Sequence, residues 1–163
     1  RRHPELFVSI SATTRQPRPG EVDGVHYHFV SREKFEELIE RGQMLEYALV
    51  HGANYYGTPR GPVQQCLDAG HSALLEIDLA GARQVKAAMP QAELVFLAPP
   101  SWQELVDRLV GRGTEDESER ERRLATAKVE LAAQDEFDVV IVNDTVARAT
   151  DELEALMGLK PVE

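Results

Sequence analysis

Four short apolar runs separated by helical stretches constrain the fold of this chain more than any other feature. The runs read LFVSI, SALLEID, ELVFLA and DVVIVN, at 6–10, 72–78, 93–98 and 138–143. They are apolar at nearly every position and bounded by Gly, Pro or Asp, which is typical of strands buried on both faces. Helical patterns lie between and after them, at 79–88, 101–111, 117–133 and 146–158. This alternation predicts an α/β fold, a parallel sheet with helices on both faces.

Residues 20–57 depart from the alternation. VHYHFV (25–30) and MLEYALVHG (44–52) alternate in the way of half-exposed strands, and they flank a charged helical segment. Ser31 is the predicted N-cap of that helix, and Gly42 is predicted to end it. The region is therefore predicted to be a small α+β insertion.

The insertion divides the predicted core domain, which comprises 1–19 and 58–163. A second charged stretch within this core begins GTEDESERERR. It is too charged to pack on a sheet, so we expect either a mobile lid over 113–133 or the solvated start of a helix.

Composition excludes several classes of function. The 28 acidic residues outnumber the 18 basic ones, for a net charge of -10, which argues against general binding to nucleic acid or anionic membranes. No apolar run approaches the roughly 20 residues that a membrane span needs. Cys66 is the single cysteine, which excludes an internal disulfide and suits a reducing compartment. A cytoplasmic protein is expected.

The stretch SATTRQPRPGE places Arg15 and Arg18 in a proline-stiffened loop after the first apolar run. Prolines fix the backbone of such a loop, and guanidinium groups held there are suited to bind an anion. Tyr27 and one of the pair Tyr55 and Tyr56 could add hydroxyls and complete a phosphate-binding cage. The alternative is a pair of solvated arginines and ordinary strand tyrosines.

Glu46 and Thr58 form a candidate base-binding pair. A carboxylate accepts two parallel hydrogen bonds, which suits N1–H and the exocyclic amine of guanine, and a hydroxyl can donate to O6. Adenine presents an acceptor at N1 and would face Glu46 acceptor to acceptor. A glutamate on a strand is otherwise simply solvated.

Other acidic and histidine residues suggest weaker sites. Glu76 and Asp78 would share a strand face by the two-residue period, where they could hold Mg²⁺ through water or bind a base amine. Asp78 could equally cap the helix that follows it. His26 and His28 share a strand face, but without a third fixed ligand their pattern favours ordinary strand residues over a metal site.

Arginines of the later half form a further candidate group. Arg108 and Arg112 have helical i, i+4 spacing, and Arg123 follows the acidic turn. Arginines on a closing lid stabilise charge on a transferring phosphoryl group. The alternative is a solvated helix face on which they pair with neighbouring glutamates.

Taken together, six segments resemble guanylate kinase in order and spacing. They read SATTRQPRPGEVDGVHYHFV, LEYALVHGANYYGTP, LLEIDLAGARQVK, FLAPPSWQEL, RLVGRGTE and VIVND. Members of that family transfer the γ-phosphoryl group of ATP to GMP with Mg²⁺. The resemblance implies the fold of the P-loop nucleoside monophosphate kinases, with the insertion binding GMP and the charged stretch acting as a lid.

The resemblance also implies roles for individual residues. It places Arg15, Arg18, Tyr27 and Tyr56 on the GMP phosphate, and it places Ser11, Glu46, Thr58 and Asp78 around the guanine. It directs Arg108, Arg112 and Arg123 toward ATP and the transferring phosphate, and Asn143 toward the adenine. The choice of Tyr56 over Tyr55 depends on a stretch, HGAN, that is one residue longer here than in some members.

One departure from the family pattern changes the expectation for activity. The phosphate loop G-x-x-x-x-G-K-[ST] is not found in the sequence. The chain as given is therefore expected to bind GMP better than it phosphorylates it, and we expect the loop to lie upstream of Arg1. The alternative is a non-catalytic guanylate-kinase-like module that binds phosphorylated protein partners. Such a module needs the arginine–tyrosine cage but neither the Glu46–Thr58 pair nor the lid arginines.

Overall fold

The computed structural model describes residues 2–110 and 116–160. It divides into two compact units, Arg1–Ala92 (unit 1) and Glu93–Glu163 (unit 2). Across the described ranges, no helix combines the length and apolar character that crossing a membrane requires.

Unit 1 contains six strands and three helices among its described residues. In chain order they are β1 (Phe7–Val8), β2 (Ala12–Thr13), β3 (His28–Phe29), α1 (Arg32–Glu40), β4 (Met44–Val50), β5 (Asn54–Pro59), α2 (Arg60–Asp68), β6 (Ala73–Leu74) and α3 (Leu79–Ala88). β1 pairs with β6 in parallel. The other four strands form a mixed sheet in the order β3-β2-β5-β4, in which β4 and β5 are an antiparallel hairpin.

Strand β4 joins two hydrophobic clusters of unit 1. Met44 packs with Ala12 and the fully buried Phe35, whereas Leu45 packs with residues of α2 and α3, among them Val63 and Val85. Successive strand residues point to opposite faces, so the two neighbours enter different clusters. This packing holds β4, the edge strand of the small sheet, against the helices that follow it.

Helix α1 begins and ends where the sequence predicts. The Ser31 hydroxyl accepts a hydrogen bond from the Lys34 amide at 3.1 Å, and Glu33 lies in the first turn. Gly42 follows the helix with a φ of 65°, in the left-handed region that favours glycine. The predicted caps are confirmed.

Unit 2 repeats the strand–helix alternation. Its elements are β7 (Val95–Ala98), α4 (Trp102–Val110), α5 (Glu117–Ala132), a 3-10 turn (Gln134–Glu136), β8 (Val139–Val142) and α6 (Val146–Leu156). β7 and β8 pair in parallel, and Phe96 meets Phe137 edge to face with ring centroids 5.1 Å apart. Asp116 caps α5 and Thr145 caps α6.

The structure corrects several sequence-based element assignments. β2, β5 and α2 were not predicted, and β2 and the end of β5 extend the small sheet beyond the predicted limits of 20–57. Tertiary packing overrides local propensity in β5. A Cβ at Gly57 would lie 2.5 Å from the Glu46 carbonyl oxygen, so only glycine permits this approach of the hairpin.

A second correction concerns the acidic pair after the second apolar run. β6 is paired only over Ala73–Leu74, so Glu76 and Asp78 lie beyond the strand. The prediction that a strand period places them on one face is wrong. The alternative assignment of Asp78 as a helix cap is confirmed, because its Oδ1 accepts a hydrogen bond from the Gly81 amide at 2.8 Å.

Candidate functional site

Arg15 is the most heavily bonded of the predicted anion-binding residues. Its Nε donates to the Tyr56 hydroxyl at 3.1 Å, although 41 residues separate the two in sequence. Its guanidinium carbon lies 5.3 Å from the centre of the Tyr27 ring, a cation–π distance. The two tyrosine rings meet edge to face, with centroids 5.9 Å apart. The structure therefore brings together three of the four residues predicted to hold a phosphate.

Tyr55 has a different environment from its neighbour. Its ring stacks on Phe35 with centroids 4.9 Å apart, and Arg32 lies 5.1 Å from its centre. Successive residues of β5 point to opposite faces of the sheet. Tyr56, rather than Tyr55, consequently lies beside Arg15.

Glu21 is a member of this cluster that the sequence did not single out. Its two carboxylate oxygens accept from Nη1 and Nη2 of Arg15, both at 2.9 Å, in the bidentate geometry of a strong arginine–carboxylate pair. Oε2 also accepts from the Arg18 amide at 2.7 Å. These bonds lower the pKa of Glu21 to about 2, with the Arg15 guanidinium as the largest cause. They raise the pKa of Arg15 in turn.

Arg18 and Ser11 contribute main-chain hydrogen bonds. The Arg18 side chain is exposed, and the bond from its amide to Glu21 helps to shape the loop. The Ser11 carbonyl accepts from the amide of His28 at 2.9 Å at the start of the β2–β3 pairing. The position of Glu21, six residues after Arg15 in a Pro/Gly-rich loop, is the sequence signal that could have identified it.

Glu46 and Thr58 contact each other directly. They face each other across the β4–β5 hairpin, and the Thr58 hydroxyl donates to Glu46 Oε1 at 2.7 Å. Thr58 is 1% exposed and Glu46 is half-buried. Burial raises the pKa of Glu46, and the Asp78 carboxylate raises it further. The structure thus places a destabilised carboxylate beside a fixed hydroxyl.

Helix α3 approaches the Glu46 carboxylate closely at a glycine, Gly81. A Cβ at Gly81 would lie 3.2 Å from Glu46 Oε2 and 3.2 Å from Asp78 Oδ1, tighter than an ordinary contact. Glycine therefore lets the first turn of α3 approach both acids. The predicted base-binding residues Glu46, Thr58 and Asp78 lie within this one part of unit 1.

Gln84, one turn further along α3, forms a reciprocal pair of bonds with the main chain of β4. Its Oε1 accepts from the Tyr47 amide at 3.1 Å, and its Nε2 donates to the Tyr47 carbonyl at 3.0 Å. Nothing in the local sequence indicates this contact, because the two residues are 37 positions apart.

The predicted donor-site residues lie in unit 2. Arg108 bonds Glu104 at 3.3 Å on α4, and its Nη2 also donates to the Asn143 carbonyl at 3.4 Å. Arg123 pairs with Glu119 at 3.7 Å on α5. Arg112 and the first residues of the predicted lid, 113–115, lie outside the described residues.

Metal ligands are not grouped in the part of the chain that the structure describes. Within 2–110 and 116–160 no cluster of three or more His, Cys, Asp or Glu side chains could hold an ion. Glu76 and Asp78 belong to no such cluster, and the holding of Mg²⁺ by these two acids through water stays a prediction. His26 Nδ1 instead accepts a hydrogen bond from the Val22 amide at 2.9 Å.

Comparison with known proteins identifies relatives over almost the whole chain. The sequence model of the guanylate kinase family matches residues 1–159. The guanylate kinase of Leifsonia xyli is 61% identical over 159 residues, which cover 98% of this chain and 63% of that protein. The guanylate kinase of Rhodococcus jostii is 59% identical over 161 residues, 98% of this chain and 78% of its own length. This chain thus spans less than two thirds of the Leifsonia protein.

A solved structure shows the same architecture. The crystal structure of guanylate kinase from Anaplasma phagocytophilum superimposes with a TM-score of 0.70 at 34% identity, covering 94% of this chain and 74% of that one. The fold is of the α/β class found in nucleoside monophosphate kinases, which are transferases. The chain belongs to the guanylate kinase family, and the family, kinase class and fold class predicted from the sequence are confirmed.

Proposed function

We propose that this chain supplies the GMP-binding half of an ATP:GMP phosphotransferase, which converts GMP and ATP to GDP and ADP in the cytoplasm. The observation that carries the proposal is the pairing within unit 1 of an arginine–tyrosine cluster with a half-buried carboxylate and its bound hydroxyl. The first has the chemistry for a phosphate, the second for the N1–H edge of guanine. Family membership supports the same assignment.

In the proposed complex, the arginine–tyrosine cluster binds the GMP phosphate. The Tyr56 hydroxyl, which accepts from Arg15, can donate its own proton to a phosphate oxygen, and the Tyr27 ring lies against the same guanidinium. Arg18 adds an exposed guanidinium from the same loop. Glu21 accepts from both Nη1 and Nη2 of Arg15, so that less side-chain freedom is lost when the nucleotide binds.

On the base side, Glu46 accepts from N1–H and the exocyclic amine while Thr58 turns its hydroxyl toward O6. Asp78 lies close enough to add charge, and Ser11 borders the same region in the family pattern. An ionised Glu46 costs free energy in its half-buried place, and two donors from guanine offset that cost. Adenine, with an acceptor at N1, offers no such compensation.

Phosphoryl transfer requires few covalent roles of the protein. A phosphate oxygen of GMP attacks the γ-phosphorus of ATP, and the bond to the ADP oxygen breaks. We assign Arg108, Arg112 and Arg123 to the charge on ATP and the transferring group, and Asn143 to the adenine. Mg²⁺ binds ATP phosphates in such reactions and neutralises charge there; no ligand of this chain is assigned to it. The 20–57 insertion and the 113–133 lid are proposed to close over the nucleotides and exclude water.

The arginine–tyrosine cluster by itself also supports a second function. A module that binds a phosphorylated protein segment would use the arginine–tyrosine cluster and leave the Glu46–Thr58 pair without a ligand.

Calorimetric titration of the 163-residue chain with GMP, AMP and a phosphoserine peptide separates the two functions. Saturable binding of GMP with little response to AMP supports the proposal. Binding of the peptide but of neither nucleotide supports the module. Equal binding of both nucleotides would retain the phosphate site and contradict the guanine assignment.

A further inference from the structure

We infer that Gln84 is a positioning residue that sets the base selectivity of Glu46 by fixing strand β4 to helix α3. The inference rests on the proposed function, in which Glu46 binds guanine. The Gln84 carboxamide bonds the main chain of Tyr47, the residue after Glu46, and its effect would pass through that main chain.

The first step of the argument is the position of β4 at the edge of its sheet. The strand order is β3-β2-β5-β4, so β4 pairs with β5 on one side only. The Gln84 carboxamide accepts from the Tyr47 N–H and donates to its C=O, as one residue of a neighbouring strand would. It thus satisfies two edge groups that pairing within the sheet leaves open.

The second step is the short path from this contact to the Glu46 carboxylate. Gly81 lies three residues before Gln84 on α3. A Cβ at this glycine would lie 3.2 Å from Glu46 Oε2, so the helix backbone comes close to the carboxylate. Asp78, three residues earlier again, caps the same helix. Helix α3 therefore touches β4 at the side chain of Glu46 and at the main chain of Tyr47.

The third step is the requirement of guanine for a fixed carboxylate. Two parallel hydrogen bonds form only when both oxygens lie in the plane of the base at hydrogen-bond distance. Thr58 restrains Oε1, but it belongs to β5 and moves with the hairpin. The Gln84 contact connects the hairpin to α3 through the backbone of β4, and hence Glu46 to Asp78.

Replacing Gln84 should mainly weaken the hydrogen bond between Glu46 and the exocyclic amine of guanine. GMP and IMP share the phosphate, N1–H and O6, but IMP lacks the 2-amino group. A misplaced carboxylate loses the second of its two bonds to guanine, whereas IMP offers only one to lose. The ratio of the two affinities therefore reports the placement of Glu46, and general destabilisation of the fold would weaken both nucleotides alike.

The test compares the wild-type chain with Gln84→Ala and Gln84→Glu by calorimetric titration with GMP and with IMP. The alanine variant should lower the preference for GMP over IMP about fivefold, the size of one net hydrogen bond. The glutamate variant keeps an acceptor for the Tyr47 amide but opposes its carbonyl, and should lower the preference at least as much. Gln64→Ala is the matched control, because that carboxamide bonds Asp68 within α2 at 2.8 Å.

A second measurement requires no nucleotide. In the wild-type chain, the Tyr47 amide should exchange with deuterium slowly despite its place on the open edge of the sheet, and the alanine variant should exchange it faster. Unprotected Tyr47 in the wild type would overturn the inference even if both variants failed to fold.

The outcomes separate this inference from the proposed function. A wild-type chain that prefers GMP to IMP, with the preference unchanged in folded Gln84 variants, would overturn the role of Gln84 alone. A wild-type chain that does not bind GMP would contradict the proposed function, and the inference with it.

Discussion

Arginines of the two units are held in contrasting ways. Arg15 of unit 1 is 15% exposed and bonds Glu21, six residues away, and Tyr56, 41 residues away. Arg108 and Arg123 of unit 2 are 48% and 43% exposed and pair with glutamates one turn earlier on their own helices. Pairs of the second kind contribute little to stability and re-form easily, whereas the first kind fixes a guanidinium before any ligand arrives.

This contrast suggests a division of labour between the units. In the proposed function, the Arg15 cluster is a preformed receptor for an anion that must be oriented relative to a base. Arg108 and Arg123 of unit 2 form exposed ion pairs on their own helices, which suits their proposed role of following charge as it moves between phosphates. Substitutions of these arginines and of their carboxylate partners test this proposed division.

The largest expected effect is that of Arg15→Ala. Removing the guanidinium deletes the charge-assisted bonds to the GMP phosphate, and GMP affinity should fall at least about 100-fold. Calorimetric titration measures the loss. Arg148→Ala is the matched control, because Arg148 pairs with Asp144 on an exposed helix start. An equal loss of GMP affinity in the two variants would contradict a specific role for Arg15 in binding the phosphate.

A smaller effect is expected for Glu46→Gln. The amide can donate to adenine N1 and loses one acceptor for guanine, so discrimination between GMP and AMP should fall about tenfold, as for one bidentate base contact. Parallel titrations with the two nucleotides measure it. Glu36→Gln, on the exposed face of α1 beside Arg32, controls for charge. Unchanged discrimination would refute the assignment of Glu46.

The pH dependence of GMP binding should reveal the same carboxyl. Burial raises the pKa of Glu46, and only the ionised form offers two acceptors, so GMP affinity should decline as the pH falls through that raised value. AMP carries the same phosphate and corrects for its titration. The ratio of the two affinities should lose its dependence on pH in Glu46→Gln. A flat ratio in the wild type would contradict this prediction.

The smallest effect expected is on stability. Since the pKa of Glu21 is lowered from 4.5 to about 2, its stabilisation is complete above 4.5 and is lost as the pH falls toward 2. Glu21→Gln should therefore lower the urea midpoint at neutral pH, and the difference from wild type should vanish in acid. Glu119→Gln, which removes one partner of Arg123, should change the midpoint less. Equal shifts of the urea midpoint in the two variants would contradict the prediction that the Glu21–Arg15 pair stabilises the fold more than the Glu119–Arg123 pair.

Local signals in the sequence predicted the parts of the fold that depend on neighbouring residues. Ser31 caps α1 as predicted, and α3 occupies the predicted 79–88 because Asp78 and the apolar spacing define it locally. β5 escaped prediction because Gly57 and Pro59 are poor strand residues in isolation. Its structure comes from pairing with β4, which no local pattern describes.

The candidate site divides in the same way. Chemistry of residue types and the family resemblance pointed to Arg15, Glu46 and Thr58. Glu21, the partner of Arg15, and Gln84, which bonds the main chain of Tyr47, were missed, since a loop conformation and a helix–strand contact across 37 residues determine these contacts. Such supporting contacts emerge only when the chain is folded.

Gly57 also limits how the site can change. A side chain there would meet the Glu46 carbonyl at 2.5 Å and Met44 Cε at 2.6 Å. Any larger residue would push the two hairpin strands apart and carry Glu46 and Thr58 out of register together. In the proposed function, the backbone between 46 and 58 is therefore a fixed frame that sequence drift cannot adjust in small steps, and variation in base preference must come from side chains around it, those at 46, 58 and 84 among them.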